Sequence, residues 1–236
     1  MGEDLRPVTL PPGFLTSAVQ SLAALYLGSR LYQSWRYRYF LNKKGENKTV
    51  IITGGASGLG FETCKLFASR GWKVIALDIN AQGLEELQRI SPLIVGFVVD
   101  ISNVESIDEW FETVSKDSNL LKDGVDTLVN CAGLAVPGPC LGVSWDRMEL
   151  QFRVNIIGAI YLTRKLLPCL LHNSSGASIV NISSMAGVVA WPWQGAYTPS
   201  KFAFGGLLAP HFYCLHDHLS LQASLMFSEE KHWLAA

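Results

Sequence analysis

The feature that most constrains this chain is a glycine-rich turn between an apolar strand and a helical pattern. The strand covers residues 49–53 (TVIIT), and the turn runs on through residue 60 (TGGASGLG). Glycines there let the main chain approach a diphosphate, and the amides at the start of the next helix carry partial positive charge. A glycine triplet alone also occurs in ordinary loops. In this position it predicts a dinucleotide site formed by Thr53, Gly54, Ser57, Gly58, Leu59 and Gly60.

Apolar strands alternate with amphipathic helical patterns from residue 49 to about residue 206. Such alternation predicts a parallel sheet covered by helices on both faces. With right-handed crossovers, the expected fold class is α/β, a single domain with a doubly wound, mostly parallel sheet of the Rossmann type. We predict strands at 49–53, 73–78, 94–99, 125–130, 178–182 and 219–227, with helices from Gly60, around 147–168 and from Tyr197.

Length, charge and cysteine content limit the number of domains and the kinds of site that this chain can have. A chain of 236 residues with a formal charge of −1 has room for one such domain and no basic stripe, which argues against nucleic acid as a partner. The 5 cysteines are odd in number and contain no CxxC pair. We therefore expect reduced thiols and no metal site. The predicted parts are an extension at 1–48, a nucleotide-binding domain at 49–227 and a short atypical tail at 228–236.

The extension carries an apolar run at residues 14–28, shorter than the ~20 residues of a comfortable membrane span. Basic and aromatic residues follow it, as they do at membrane interfaces. We expect membrane association through residues 14–40, as an anchor or an interfacial helix, with the folded domain on the cytoplasmic side of the endoplasmic reticulum. A helix packed within the protein or at a dimer contact, a cleaved signal and a cytoplasmic location are the alternatives. The flanking residues are Arg30, Trp35, Arg36, Tyr37, Arg38, Tyr39, Phe40, Lys43 and Lys44.

Asp78 lies at the end of the second predicted strand. A carboxylate there can accept hydrogen bonds from both ribose hydroxyls of the adenosine half, and it would repel a 2′-phosphate. The glycine turn and the residues directly after Asp78 contain no Arg or Lys that could pair with such a phosphate. The sequence therefore predicts NAD as the cofactor, in preference to NADP. The alternative is that Asp78 caps a helix. That role would explain an Asp at this position, but it would not explain the spacing of Asp78 from the glycine turn.

Several stretches, taken in order, resemble the classical short-chain dehydrogenases/reductases. The turn resembles that family's TGxxxGxG, residues 130–133 (NCAG) resemble its NNAG with Cys131 in place of the second Asn, and residues 197–201 (YTPSK) match its YxxxK. The resemblance covers roughly residues 49–227. The N-terminal extension is also similar to that of microsomal hydroxysteroid and retinol dehydrogenases.

The resemblance implies a role for each matching position. Asp100 and Ile101 would meet the adenine ring. Asn155 would hold a water that links Lys201 to solvent, and Lys201 would also hold the nicotinamide ribose. The catalytic residues would be Ser184, Tyr197, Lys201 and Asn155. The further cofactor contacts would come from Asn130, Ala132, Gly133, Tyr197 and Lys201.

The chemistry of these residue types agrees with those roles. Tyr197 and Lys201 lie one helical turn apart, so they share one face. The ammonium would lower the pKa of the tyrosine hydroxyl, which could then act as general base in oxidation and general acid in reduction. Ser184, at the end of the preceding strand, could stabilise the developing oxyanion. Ser183 is the alternative.

The pattern breaks after Lys201. Pro210 interrupts the expected helix, and residues 228–230 (SEE) stand where the family has a Pro-Gly over the nicotinamide. Two functions therefore compete. One is an oxidoreductase acting on a small lipophilic alcohol or ketone, steroid-like or retinoid-like, as a homodimer or homotetramer. The other is a truncated, weakly active or inactive nucleotide-binding form that pairs with a full-length relative.

Overall fold

The computed structural model describes residues 47–116, 120, 121, 123–172, 177–206 and 219–222. The predicted membrane segment at 14–40, Pro210 and the tail at 228–236 lie outside these residues. The strands are β1 (Thr49–Thr53), β2 (Lys73–Asp78), β3 (Ile94–Val98), β4 (Thr127–Asn130), β5 (Ala177–Asn181) and β6 (Leu219–Gln222). The helices are α1 (Gly58–Ser69), α2 (Ala81–Ile90), α3 (Val104–Lys116), α4 (Trp145–Phe152), α5 (Ala159–Leu171) and α6 (Tyr197–Gly206).

The strands form a 6-stranded sheet in the order β3-β2-β1-β4-β5-β6. Every strand pair is parallel, and Ile51 of β1 lies between Ile75 of β2 and Leu128 of β4. The chain winds outward from β1 in one direction and from β4 in the other. A crevice therefore opens between β1 and β4, at the edge where the strands' carboxyl ends lie, hereafter the carboxyl edge. The predicted α/β fold is confirmed.

The sheet is covered on both faces, and strand alternation explains how. Successive residues of one strand point to opposite faces, so Ile51 and Ile52 enter different cores. The first core packs Ile51, Ile75, Leu77 and Leu128 against Ile107 and Trp110 of α3 and Leu162, Leu166 and Leu170 of α5. The second core packs Val50, Ile52, Val74, Ala76 and Val129 against Cys64 and Ala68 of α1 and Leu84 and Leu87 of α2.

Some predicted boundaries were wrong. Helix α1 begins at Gly58 rather than Gly60, because Ser57 is extended (φ −154°) and the helical conformation starts directly after it. Strand β4 begins at Thr127 rather than at residue 125, and β5 covers Ala177–Asn181 rather than 178–182. Strand β6 ends at Gln222 within the described residues, and the rest of its predicted range lies outside them.

The helix predicted around 147–168 extends from Trp145 to Leu171. Its middle, Arg153–Gly158, is a π-helical turn that joins α4 to α5. Among the described residues, this helix is by length and composition able to cross a membrane, with a mean hydropathy of 1.4. Leu162, Leu166 and Leu170 are fully buried in the first core, so its apolar character follows from packing on the sheet.

Candidate active site

The glycine turn forms a cradle at the carboxyl ends of β1 and β4. Gly54 has a φ of +70°, and a Cβ there would lie 2.8 Å from the Ala132 Cα. A Cβ on Gly60 would collide with the Gly54 carbonyl oxygen. Only glycine lets these segments approach so closely. Ser57, Gly58 and Leu59 are exposed at the start of α1, so their amides are open to an anionic ligand. The cradle therefore fits the diphosphate of a dinucleotide.

Asp78 is oriented by two main-chain N–H groups, one of them in the cradle. One of its carboxylate oxygens accepts the N–H of Ala56 at 2.9 Å, and the other accepts the N–H of Asn80 at 2.9 Å. Both bonds hold the carboxylate beside the turn, at the end of β2. This is the position from which a carboxylate reaches the adenosine ribose.

Asp100 and Ile101 follow the third strand along the same edge. Asp100 is exposed, and its carboxylate accepts the backbone N–H of Ser102 at 2.8 Å and the Ser102 hydroxyl at 2.7 Å. Ile101 is buried in the first core. The loop after β3 is therefore held by its own hydrogen bonds and by the burial of Ile101. The predicted contact of Asp100 and Ile101 with an adenine ring remains a prediction.

Thr53 joins the cradle to the catalytic side of the crevice. It is buried, and its hydroxyl oxygen accepts the backbone N–H groups of Cys131 and Ala132, each at 3.0 Å. Asn130 is also buried, and its amide donates to the Thr163 hydroxyl at 3.2 Å and to the Asn181 side-chain oxygen at 2.8 Å. Asn130 thus holds β4 to α5 and β5, and its predicted cofactor contact remains a prediction.

Cys131 stands where the resemblance expects a second asparagine. Burial raises the pKa of its thiol to about 11, with the nearby Lys201 charge opposing the shift. The thiol is therefore mostly protonated at pH 7.

Lys201 lies at the centre of the candidate catalytic group. It is 5 % exposed, and its Nζ donates to the Ile182 carbonyl at 3.2 Å. The same Nζ is 5.7 Å from the centroid of the Tyr197 ring, one turn earlier on α6. A Cβ placed on Gly133 would lie 3.5 Å from the Lys201 Nζ and 3.6 Å from the Asn155 Oδ1. The fold therefore brings Gly133, Asn155 and α6 together around one ammonium.

Asn155 is buried in the π-helical turn and connects two parts of the site. Its Oδ1 accepts the N–H of Leu134 at 2.7 Å, and its Nδ2 donates to the Leu134 carbonyl at 2.9 Å and to the Ser200 hydroxyl oxygen at 2.9 Å. The side chain thus links the loop after β4 to α6. The water contact predicted for Asn155 is not tested by these bonds.

The two candidate serines differ in their hydrogen bonding. The Oγ of Ser184 accepts the N–H of Ala186 at 3.2 Å and caps a short 3-10 turn, Met185–Gly187. The Oγ of Ser183 is buried and has no hydrogen-bond partner among the described residues. A Cβ on Gly187 would lie 2.8 Å from the Lys201 carbonyl oxygen, so the turn packs directly on α6.

The sequence model of the short chain dehydrogenase family matches residues 48–211. The chain belongs to the short-chain dehydrogenase family. It is 34 % identical over 206 residues to estradiol 17-beta-dehydrogenase 11 of Pongo abelii, covering 86 % of this chain and 63 % of that protein. It is 33 % identical over 165 residues to the uncharacterized oxidoreductase YbbO of Escherichia coli, covering 69 % and 58 %. This chain thus spans less than two thirds of the length of these relatives.

Solved structures of short-chain dehydrogenases carry the same architecture. A 4-hydroxyisoleucine dehydrogenase complexed with NADH matches with a TM-score of 0.64 and 30 % identity, over 72 % of this chain and 70 % of that one. A short-chain dehydrogenase from Burkholderia phymatum in complex with NAD matches with a TM-score of 0.69 and 25 % identity, over 77 % and 66 %. The predicted family and a nicotinamide cofactor class are supported by these relatives.

The sequence did not reveal how the loops of this short-chain dehydrogenase are joined. The N–H of Gly138 donates to the Trp193 carbonyl at 2.7 Å, and the N–H of Gly195 donates to the Gly138 carbonyl at 3.1 Å. Gln151, on α4, is 0 % exposed, and its Oε1 accepts the N–H of Val136 at 2.6 Å. The available signal was a polar side chain on the buried stripe of a helix, one turn before Asn155.

Proposed function

We propose that this chain is an NAD-dependent oxidoreductase that transfers a hydride between nicotinamide and a secondary alcohol or ketone of a small lipophilic molecule. The observation that carries the proposal is the placement of Lys201 between the Tyr197 ring and the Gly133–Asn155 contact. That group lies at the carboxyl edge, next to the glycine cradle. In open α/β sheets, ligands bind at this edge, in the crevice where the strand order reverses.

The residues of the chain would handle the proton. When bound, the nicotinamide accepts or supplies the hydride. In oxidation, the Tyr197 hydroxyl oxygen would take the proton from the substrate hydroxyl while the carbon loses its hydride. In reduction, Tyr197 would return the proton to the carbonyl oxygen. The Lys201 ammonium, on the same helix face, would favour the tyrosinate and would bind the nicotinamide ribose.

Ser184 is the better candidate for stabilising the substrate oxygen. Its hydroxyl oxygen accepts a bond from Ala186, which leaves its proton free to be donated to the substrate. The Ser183 hydroxyl is buried and cannot meet a substrate without a rearrangement. The burial of the Ser183 hydroxyl therefore favours Ser184 as the group that stabilises the developing oxyanion.

The preference for NAD over NADP rests on Asp78. Its carboxylate is held beside the cradle by the N–H groups of Ala56 and Asn80. A 2′-phosphate at that position would face a fixed negative charge. The amides of Ser57, Gly58 and Leu59 would hold the diphosphate in either cofactor, so the ribose position decides between the two.

A lipophilic substrate is supported by the loops after β4 and β5. Both follow strands at the carboxyl edge, and both expose large apolar side chains. Exposed apolar side chains on the loops beside a candidate active site are typical of a site that binds an apolar ligand. One relative, estradiol 17-beta-dehydrogenase 11, is named for a steroid. The exposed side chains are Leu141, Val188, Val189, Trp191 and Trp193.

The test is cofactor binding and turnover of the purified full chain. NADH and NADPH affinities are measured by equilibrium titration, and turnover is measured with a panel of steroid and retinoid alcohols and their ketones. We expect tighter binding of NADH and activity with at least one apolar alcohol. Tight NADH binding without turnover across the panel would instead support the nucleotide-binding alternative.

Membrane attachment through residues 14–40 is a separate proposal, supported by the apolar run and its basic, aromatic flank. We expect the full chain to sediment with membranes and to resist carbonate extraction. A chain lacking residues 1–45 should remain in the supernatant. If the full chain is released by carbonate, the segment does not anchor the protein and a packed helix is the better interpretation.

A further inference from the structure

We propose that Gln151 is a positioning residue for the catalytic centre. It fixes the middle of a main-chain segment, residues 133–138, hereafter the bridging segment. One end of this segment touches Lys201 and Asn155, and the other end is bonded to the residues that lead into Tyr197. This inference rests on the proposed function, because it concerns how that site is held in shape.

Gln151 makes a short bond in a fully buried place. Its side chain is 0 % exposed, and its Oε1 accepts the N–H of Val136 at 2.6 Å. Val136 is itself buried, so this N–H has no access to solvent. Its amide Nε2 is buried and has no hydrogen-bond partner within the described part of the chain. The acceptor oxygen is therefore the part of the glutamine that matters for the bridging segment.

The first end of the bridging segment lies against the catalytic residues. A Cβ built on Gly133 would lie 3.5 Å from the Lys201 Nζ. The next residue, Leu134, exchanges two hydrogen bonds with the Asn155 side chain, at 2.7 and 2.9 Å. Asn155 and Gln151 lie one helical turn apart, on either side of the junction between α4 and the π-helical turn. Together they bind the segment along one helix face.

The second end is bonded to the segment before Tyr197. Gly138 donates to the Trp193 carbonyl at 2.7 Å and accepts from the N–H of Gly195 at 3.1 Å. Trp193 has a φ of +63°, a conformation that is unfavourable for a bulky residue and persists only where surrounding bonds enforce it. Gly195 lies just before α6 begins at Tyr197. The bridging segment therefore runs from a position beside Lys201 to main-chain bonds with the residues that precede Tyr197.

Removing the Gln151 acceptor would release the middle of this connection. The buried N–H of Val136 would lose its partner, and the segment would shift to reach another acceptor or water. A displacement of about 1 Å at a reacting centre can cost on the order of 10²-fold in rate. The adenosine side of the site, formed by the cradle and Asp78, shares none of these bonds. Loss of Gln151 should therefore affect the nicotinamide side selectively.

The test compares two variants. Gln151→Met keeps the length of the side chain but lacks the acceptor oxygen, and Gln151→Glu keeps an acceptor oxygen. Leu150→Met, at an exposed neighbour on α4, is the matched control. The first readout is amide hydrogen exchange of peptides covering residues 133–138 and of peptides covering β1 and β2. The second is the ratio of the NADH and ADP-ribose dissociation constants. The third, with an active substrate, is kcat and KM.

We expect Gln151→Met to speed exchange in the bridging segment and to leave the strands unchanged. NADH binding should weaken about threefold to tenfold, because binding would then have to fix a segment that one hydrogen bond held before, while ADP-ribose affinity stays the same. kcat should fall about tenfold or more, with a smaller change in KM. Gln151→Glu should recover most of both effects, because its carboxyl oxygen can accept the Val136 N–H.

A merely structural role predicts a different result. In that case the affinities for NADH and ADP-ribose would fall together, and amide hydrogen exchange would rise in the strands as well. Gln151→Glu would then restore neither NADH affinity nor kcat. That pattern, or Gln151→Met behaving like Leu150→Met, would overturn the inference and leave the proposed function standing. If the unmodified chain binds ADP-ribose and NADH equally and turns over no alcohol, the proposed function itself fails.

Discussion

The two halves of the crevice are built in different ways. The adenosine half, formed by the glycine cradle, Asp78 and Asp100, relies on main-chain amides that lie close to each carboxylate. The Asp78 oxygens accept the N–H groups of Ala56 and Asn80, and the Asp100 oxygen accepts that of Ser102. The Asn80 and Ser102 bonds each join residues two apart in the chain, and the Ala56 bond joins the end of β2 to the glycine turn 22 residues earlier. Dinucleotide binding is thus encoded mostly in short motifs.

The catalytic half is assembled from segments that lie far apart along the chain. Asn155 bonds to Leu134 and Ser200, with sequence separations of 21 and 45 residues. The loops after β4 and β5 meet through main-chain bonds at Gly138. No single motif contains this geometry. We therefore expect cofactor binding and chemistry to be separable by mutation. Four predictions follow this difference between the two halves.

The largest expected effect is on chemistry. Tyr197→Phe keeps the ring and removes the group that moves the proton, so turnover should fall by about 10²–10⁴-fold with NADH affinity little changed. Tyr161→Phe is the control, since the Tyr161 hydroxyl donates to Asp108 at 2.8 Å on the surface of α5. Steady-state kinetics and NADH titration check both variants. An unchanged rate in Tyr197→Phe would show that another group handles the proton.

The second effect is confined to the adenosine half. Asp78→Ala removes the carboxylate that would bind the ribose hydroxyls and repel a 2′-phosphate. The preference for NADH over NADPH should shrink by about 10- to 100-fold, the range for hydrogen bonds to a charged group. Asp123→Ala, at an exposed position away from the cradle, should leave the ratio unchanged. Equal affinities in the unmodified chain would remove the basis for the NAD preference.

The third effect is on the connection between the halves. Thr53→Val keeps the shape of the side chain but leaves the half-buried N–H groups of Cys131 and Ala132 without their acceptor. The free energy of unfolding should fall by about 1 kcal/mol. Thr53→Ser keeps the hydroxyl, so its free energy of unfolding should fall by less. Urea unfolding of the two variants makes the comparison, and equal losses would mean that the methyl group, rather than the bonds, stabilises this contact.

The smallest effect is on thiol reactivity. Burial raises the pKa of Cys131 to about 11 and that of Cys64 to about 12, so the reactive thiolate is scarce at pH 7 and increases with pH until the pKa is reached. Exposed Cys140 should therefore be alkylated by iodoacetamide well before either of them. Peptide mass spectrometry at pH 7 and pH 9 measures the order. Early labelling of Cys131 would show that the crevice opens beside the cradle.

The strand–turn–helix motif and the alternation of apolar strands with helices were sufficient to predict the fold. A strand buried on both faces needs a continuous apolar run, and such runs are visible without any knowledge of their neighbours. The predicted helix start at Gly60 was two residues late, because the extended conformation of Ser57 decides the start and both Gly58 and Gly60 permit one. The π-helical turn at Arg153–Gly158 has no comparable sequence signal.

By itself, the sequence determined the cofactor cradle, the position of Asp78 and the pairing of Tyr197 with Lys201 on one helix face. Each depends on spacing within a single element or a single turn, where backbone geometry leaves few choices. Only the tertiary structure decided the bonds of Gln151 to Val136, of Asn155 to Leu134, and of Gly138 to the Trp193 carbonyl. Those bonds join main-chain groups of one loop to distant elements, and a main-chain N–H or carbonyl is the same at every residue. Its partner therefore becomes known only when the chain is folded.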